Sequence, residues 1–273
     1  MQLRHTKSIT SLTILLVFFL TIVSYWGAFV TGTYKMETKS LALQGIGQDI
    51  FDLFVIVPLL LLSLFFTLKN SKKALIILAG TVLYILYSFI IYALGIHFNR
   101  MFLIYCFTFG ASFYLFVLLI IEFYNQKPEK PFDDRMPIKS TAAFFIIIAA
   151  MFYFLWLNDI IPAIINDTVP ESVRNYNLLV NPVHVIDISF ILPGLIIISV
   201  LLIKRQYTGY IFAPVFLILL ILLSLALAAM AVNLKIKNVS EDLSLVIIFG
   251  VLAVVSCIFL FLFFRRLNKP VPA

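Results

Sequence analysis

The chain contains the stretch Asp52-Leu-Phe-Val-Ile-Val-Pro58, and 135 residues later it contains Asp187-Ile-Ser-Phe-Ile-Leu-Pro193. Each stretch lies inside an apolar run of about 20 residues, the length at which a helix crosses about 30 Å of hydrocarbon. The two runs therefore predict membrane-spanning helices that carry an acid and a proline at matching positions.

The composition places the whole chain in a membrane. Of 273 residues, 63% are hydrophobic and only 12% are charged, and the mean hydropathy is +1.09. The apolar runs are continuous, whereas the strands of a membrane β-barrel alternate in polarity. The predicted fold class is therefore an all-α membrane protein with eight transmembrane helices. The predicted helices span about 9–30, 47–67, 73–94, 101–122, 142–164, 183–203, 209–232 and 243–264.

The offset of 135 residues also relates Lys69 to Lys204 and Thr6 to Thr141. It predicts two parallel four-helix repeats, at residues 1–124 and 139–273, joined by a proline-containing linker at 125–138. The two repeats would be related by an axis along the membrane normal. Coincidence between two apolar sequences is the alternative, although Asp and Pro are scarce in such helices.

Basic residues predict the orientation. Fourteen of the 20 Lys and Arg residues fall at the N-terminus, in the second, fourth and sixth connections and at the C-terminus. Basic flanks stay in the cytoplasm, so both termini are predicted to be cytoplasmic. The net charge of +7 then follows from topology and from contact with the lipid bilayer, and nucleic-acid binding is not expected. The first run lacks a cleavage site and is read as an uncleaved span.

The longest extracytoplasmic connection is predicted at about 165–182. Within it, Thr168-Val-Pro-Glu171 has the pattern of a helix capping box. It predicts a short surface helix that runs to Tyr176 over the outer mouth of the bundle, either as a lid or as a plain connector.

Candidate functional residues gather towards that side. The three-residue spacing puts Asp49 with Asp52, and His184 with Asp187, on one helix face each. Asp52 and Asp187 would lie about 7 to 9 Å from the centres of their spans. An ionised acid at that depth is costly, so these side chains are expected to face the bundle interior.

Seven residues make up the predicted ligand site: Asp49, Asp52, Arg100, Asn158, Asp159, His184 and Asp187. Four of them form a donor set that could hold a divalent metal as a cofactor, namely Asp49, Asp52, His184 and Asp187. The purely structural alternative is that the acids accept hydrogen bonds from buried hydroxyls, or pair with His97 or Arg100, and so hold the halves together.

Three functions remain open at this point. The first is binding or transport of a cation or small polar solute, with the halves rocking about Pro58 and Pro193. The second is an intramembrane enzyme, with or without a metal, that acts at the extracytoplasmic interface. The third is an assembly or scaffold subunit. The sequence has no P-loop, Rossmann fingerprint or Gly-x-Ser-x-Gly motif, which argues against nucleotide-driven transport by this chain alone.

Several short motifs resemble a group of bacterial integral membrane proteins that has no known activity. The resemblance rests on Gly47-Gln-Asp49, His97-Phe-Asn99, Asn158-Asp-Ile-Ile-Pro-Ala163, Thr168-Val-Pro-Glu-Ser172 and Asn181-Pro-Val-His-Val-Ile-Asp187. It implies a multi-pass protein of the bacterial cytoplasmic (inner) membrane. It implies no substrate, no cofactor and no oligomeric state.

Overall fold

The computed structural model describes residues 3–127, 136–239 and 243–267. Within these ranges eight helices are long and apolar enough to cross a membrane. This confirms the prediction of an all-α, multi-pass membrane protein. The long helices are α1 (Thr6–Phe29), α2 (Lys39–Leu68), α3 (Lys72–Leu94), α4 (Phe102–Asn125), α5 (Ile138–Ile165), α7 (Pro182–Ile203), α8 (Tyr207–Ile236) and α9 (Ser244–Arg266). The short helix α6 covers Glu171–Arg174. Most of the predicted linker, positions 128–135, lies outside the described residues.

Helix α2 begins at Lys39, eight residues before its predicted start. The Thr38 side chain caps it, and its first turns carry small and polar residues that the apolar pattern could not assign to a span. Residues 40–46 are only partly exposed, and at Gly47 the helix meets α8 so closely that a Cβ would lie only 2.9 Å from Met230 Cα. With the longer helix, Asp52 lies about 2 Å along the axis from the helix midpoint, at 1.5 Å per residue.

Helices α2 and α7 each contain one π-helical turn. The turns span Asp52–Ile56 in α2 and Asp187–Ile191 in α7, so each begins at the acid that recurs in the sequence. Pro58 and Pro193 follow in the first turn of the next α-helical segment. Proline has no N–H to donate within the helix, and π turns are frequent at functional sites. The two turns share the 135-residue offset of the predicted repeat.

Helices α3 and α8 form the centre of the bundle. In their most apolar windows 78% and 61% of the residues are buried, whereas the figure for the outermost helix, α9, is 17%. Helix α3 packs against α2, α4 and α8, and α8 packs against α2, α3, α7 and α9. Helix α1 packs on α2 and α4, while α5 packs on α7. The contacts between the two halves therefore run through α3 and α8.

The two ends of the bundle differ in their polar contacts. At the end where α1 begins, which we call the proximal end, buried Glu122 accepts hydrogen bonds from the Arg4 backbone N–H at 3.1 Å and from Gln126 at 2.8 Å. The opposite, distal end carries the connections at residues 30–38, 95–101 and 166–181. Its polar side chains reach into the bundle interior, where they build the candidate site.

Candidate functional site

Two buried carboxylates of α2 are held by tyrosine hydroxyls. Asp49 and Asp52 are each 1% exposed. Tyr84 donates to Asp52 Oδ1 at 2.7 Å, and Tyr92 donates to Asp49 Oδ1 at 3.2 Å. Tyr34, from the connection between α1 and α2, donates to Asp49 Oδ2. Neutral donors therefore satisfy both acids.

Asp187 of α7 is held in the same manner from two other helices. Tyr87 of α3 donates to its Oδ1 at 3.1 Å, and Trp156 Nε1 of α5 donates to its Oδ2 at 2.9 Å. The His184 ring packs against the Trp156 ring, with 4.6 Å between the two ring centroids. His184 Nε2 is buried and has no hydrogen-bond partner among the described residues.

Helix α3 connects the two acids that recur in the sequence. Tyr84 and Tyr87 lie one helical turn apart on α3, and they bond to Asp52 and Asp187 respectively. Both acids thus accept from buried hydroxyls, one of the arrangements that the sequence left open. The other two partners that the sequence suggested for these acids are engaged elsewhere. Arg100 is exposed, and His97 pairs with a different acid.

That acid is Glu37, which joins two connections at the distal end. Glu37 Oε2 lies 2.9 Å from His97 Nδ1, and its Oε1 accepts the His97 backbone N–H at 2.7 Å. The Glu37 side chain is only 2% exposed.

Burial and the Asp49 carboxylate raise the pKa of Tyr34 well above its usual value. Tyr34 therefore stays protonated and able to donate.

Helix α6 is shorter than predicted, and its predicted cap is wrong. It starts at Glu171 after Pro170, which occupies the N-cap position with extended backbone and no side-chain cap. Thr168 is therefore not the capping residue. The physical reason lies in Val169, because a residue that precedes proline is disfavoured in the helical region. Val169 is therefore kept out of the helix, which begins after Pro170.

The segment around α6 is nevertheless fixed to the bundle. Ser172 donates to Asp159 Oδ2 of α5 at 2.6 Å. Tyr176 accepts a hydrogen bond from Gln44 of α2 at 3.2 Å. These contacts hold the connection between α5 and α7 against the distal end of α2.

A cavity of about 270 Å³ lies between the two halves at this end. Helices α2, α3, α5, α7, α8 and α9 and the distal connections line it. Towards the middle of the helices its wall is apolar, with Ile148, Leu195 and Leu220. Towards the distal end the wall is polar and aromatic, with Tyr34, Glu37, Gln44, Gln48, Tyr84, Tyr87, Tyr92, Trp156, Tyr176 and Asp187.

The predicted site residues differ in how they relate to this cavity. Asp187 lines it directly. Asp49 and Asp52 bond to lining tyrosines, and His184 contacts the lining residue Trp156. The remaining three lie outside the lining: Asn158 and Arg100 are exposed, and Asp159 bonds to Ser172.

The metal hypothesis gains no geometric support. Across residues 3–127, 136–239 and 243–267, no three His, Cys, Asp or Glu side chains group as a metal site would require. The four predicted ligands, Asp49, Asp52, His184 and Asp187, instead contact aromatic side chains. A divalent metal here stays a prediction from the sequence alone.

Sequence reasoning missed most of the aromatic lining. Trp156 and Tyr92 were not among the predicted site residues, although both donate to buried acids. One signal was present, because a Tyr or Trp in the middle of a membrane span needs a hydrogen-bond partner. Tyr84, Tyr87 and Tyr92 on a single span point to nearby acceptors for that reason.

Comparison of the chain with protein-family models, with curated proteins and with solved structures gives no match. The function is therefore inferred from the cavity and from the side chains that line it.

Proposed function

We propose that the protein binds a small solute in the central cavity as the first step of its transport across the membrane. The observation that carries this proposal is the cavity of about 270 Å³ between the two halves, where several polar groups converge. Ligand sites are typically concave, mostly apolar and equipped with a few placed polar groups. The volume lies near the lower limit of about 300 Å³ for such pockets, which suits a small solute.

The orientation follows from the basic residues. Lys69, Lys72 and Lys73 flank the proximal ends of α2 and α3, and Lys204 and Arg205 flank the connection between α7 and α8. With basic connections in the cytoplasm, the cavity faces the extracytoplasmic side. The setting is the bacterial cytoplasmic membrane, with both termini in the cytoplasm.

Movement of the two halves is the proposed route for the solute. The π turns and the prolines that follow them, Pro58 and Pro193, interrupt the regular hydrogen bonding of α2 and α7. The interruption of α7 lines the cavity at Asp187 and Ile191, and the interruption of α2 adjoins the cavity through the hydrogen bond from Tyr84 to Asp52. These two interruptions support a movement in which the two halves tilt relative to each other about α3 and α8.

An enzymatic role has less support. A general base must lie within hydrogen-bonding reach of the substrate. His184 is the ring suited to that task, yet it is outside the cavity lining, behind Trp156. A scaffold role would leave the cavity unexplained.

Chemical labelling of a cysteine in the cavity tests the proposal. Ser88 of α3 lines the cavity and is a small side chain. In a background in which the two native cysteines, Cys106 and Cys257, are alanine, Ser88→Cys should react with a small membrane-impermeant thiol reagent added outside intact cells. Reaction in inverted vesicles as well would indicate passage of solute to the other side.

The matched control is Ser63→Cys in the same background. Ser63 of α2 is buried, but it is outside the cavity lining, and it donates to the Leu60 carbonyl at 3.0 Å. It should stay unlabelled from both sides. If Ser88→Cys is equally unreactive from both sides, the cavity is not open to solvent and the proposal fails.

A further inference from the structure

The charges around the cavity are unbalanced. Its lining contains two acids, Glu37 and Asp187, and the lining residues that the structure describes include no Lys, Arg or His. Glu37 has His97 as its partner. Among the residues that the structure describes, the partners of Asp187 are the neutral donors Tyr87 and Trp156. An ionised carboxylate that is 8% exposed is costly without a partner of opposite charge.

The geometry around Asp187 suits the ionised form. Each carboxylate oxygen accepts one hydrogen bond, Oδ1 from the Tyr87 hydroxyl and Oδ2 from Trp156 Nε1. Indole N–H can only donate. The carboxylate is thereby held in one orientation, with its charge available to a cation in the cavity.

The aromatic residues offer ring surfaces rather than hydroxyls. The cavity lining includes Tyr34, Tyr84, Tyr87 and Tyr92. The hydroxyl of each donates a hydrogen bond to a carboxylate. Aromatic rings attract alkylammonium groups through their negative faces, and such rings recur in sites for quaternary ammonium ligands. Because each hydroxyl proton already donates to a carboxylate, these tyrosines have no donor left for a neutral polyol.

The apolar part of the cavity suits alkyl groups better than bare metal ions. Leu195, Leu220 and Leu223 form part of its wall. Hard cations such as Mg²⁺ and Ca²⁺ require about six oxygen ligands, whereas this wall supplies carbon. A ligand that matches both parts has one positive charge and apolar substituents.

We propose that the solute is a small organic cation, an ammonium group that carries alkyl substituents, with Asp187 as its counter-ion and the surrounding tyrosines and Trp156 as its aromatic walls. This assignment rests on the proposed function, because it names the class of solute for the same cavity.

Trp156 itself reports on the ligand. The chain has two tryptophans, so Trp26→Phe leaves Trp156 as the single fluorescent indole, in contact with both Asp187 and the cavity. In purified Trp26→Phe protein, titration with choline or tetraethylammonium should give a saturable change in fluorescence. The neutral isostere of choline, 3,3-dimethylbutan-1-ol, should bind at least tenfold more weakly.

Two variants test the counter-ion. Asp187→Asn should weaken choline binding at least tenfold and leave binding of the neutral alcohol unchanged, while Asp187→Glu, which keeps the charge, should retain most of the affinity. Glu171→Gln removes an exposed acid outside the cavity lining and should change nothing. If Asp187→Asn does not fold, the affinities of Asp187→Glu for choline and for the neutral alcohol still decide the question.

The outcomes separate this assignment from the proposed function. If the alcohol binds as tightly as choline, or if Asp187→Asn keeps its choline affinity, the cation assignment is wrong while the binding cavity stands. The same holds if neither cation changes the fluorescence although Ser88→Cys is labelled. If Ser88→Cys is not labelled, the proposed function of the cavity is itself wrong.

Discussion

Gly27 shows how tightly the buried acids are packed. A Cβ at this position of α1 would overlap the Asp49 carboxylate and would lie 2.7 Å from the Tyr34 hydroxyl. Neither group can retreat easily, because they are hydrogen-bonded to each other and Tyr92 holds the second carboxylate oxygen. We expect Gly27→Ala to destabilise the protein by about 1 to 3 kcal/mol, the usual cost of overpacking. The melting temperature in detergent measures this change.

Gly110 of α4 is the matched control. A Cβ there would meet none of the described neighbouring atoms within 4 Å. Because alanine is the better helix former, Gly110→Ala should be neutral or should stabilise by about 0.5 to 1 kcal/mol. Equal melting temperatures for the two variants would show that the packing around Asp49 is looser than described.

At the level of single residues, the sequence reveals the acids but not their partners. Asp52 and Asp187 stand out because acids are rare in apolar helices. The partner of His97, in contrast, is Glu37 from another connection, and no local pattern joins residues that are 60 positions apart. Such contacts depend on how the helices are arranged, which apolar periodicity does not specify.

The π turn of α2 gives a prediction for a whole helix. A π turn accommodates one residue more than an α-helical turn, so deletion of one residue from Asp52–Ile56 would allow a regular helix. Because the π turn absorbs the extra residue, that helix would keep the segment before Asp52 in nearly the same orientation relative to the segment after Pro58. We therefore expect deletion of Phe54 to keep the monodisperse protein peak in size-exclusion chromatography.

Phe54 was chosen because its side chain is 64% exposed. Phe54→Ala keeps the length of the helix and should elute like the wild type. Deletion of Phe190, which is 70% exposed in the π turn of α7, should likewise keep the peak. Loss of the peak for either deletion variant would mean that its π turn is required for the fold.

For whole helices, the sequence predicts spans well and their ends less well. Eight apolar runs gave eight helices because hydrocarbon thickness fixes their length. The start of α2 was placed too late because its first turns include polar and small residues, such as Ser40, Gln44 and Gly45, that are partly buried against the protein. Hydropathy measures affinity for lipid, and it cannot recognise a helix end that contacts other helices.

For the molecule as a whole, α3 and α8 carry the contacts between the halves. Gly80 of α3 lies against α8, and a Cβ there would be 2.5 Å from Ile218 Cβ and 3.0 Å from the Val215 carbonyl oxygen. The second half also depends on the first for its buried acid, because Tyr87 of α3 donates to Asp187. The sequence predicted that Asp52 and Asp187 lie in membrane-spanning helices, but not that one helix would donate hydrogen bonds to both acids.

Separate expression of the halves tests this dependence. Residues 1–131 and 132–273, co-expressed as two chains, should copurify, because α8 packs on both α2 and α3. Gly80→Leu should abolish copurification by forcing α3 away from α8. Gly250→Leu on α9, where a Cβ would meet nothing within 4 Å, should leave it intact. Expressed alone, residues 132–273 should accumulate poorly, since Asp187 then lacks the Tyr87 donor and the cavity lacks its α3 wall. If each half instead accumulates as a stable, folded protein when it is expressed alone, the cavity lies at a loose contact between two independent units.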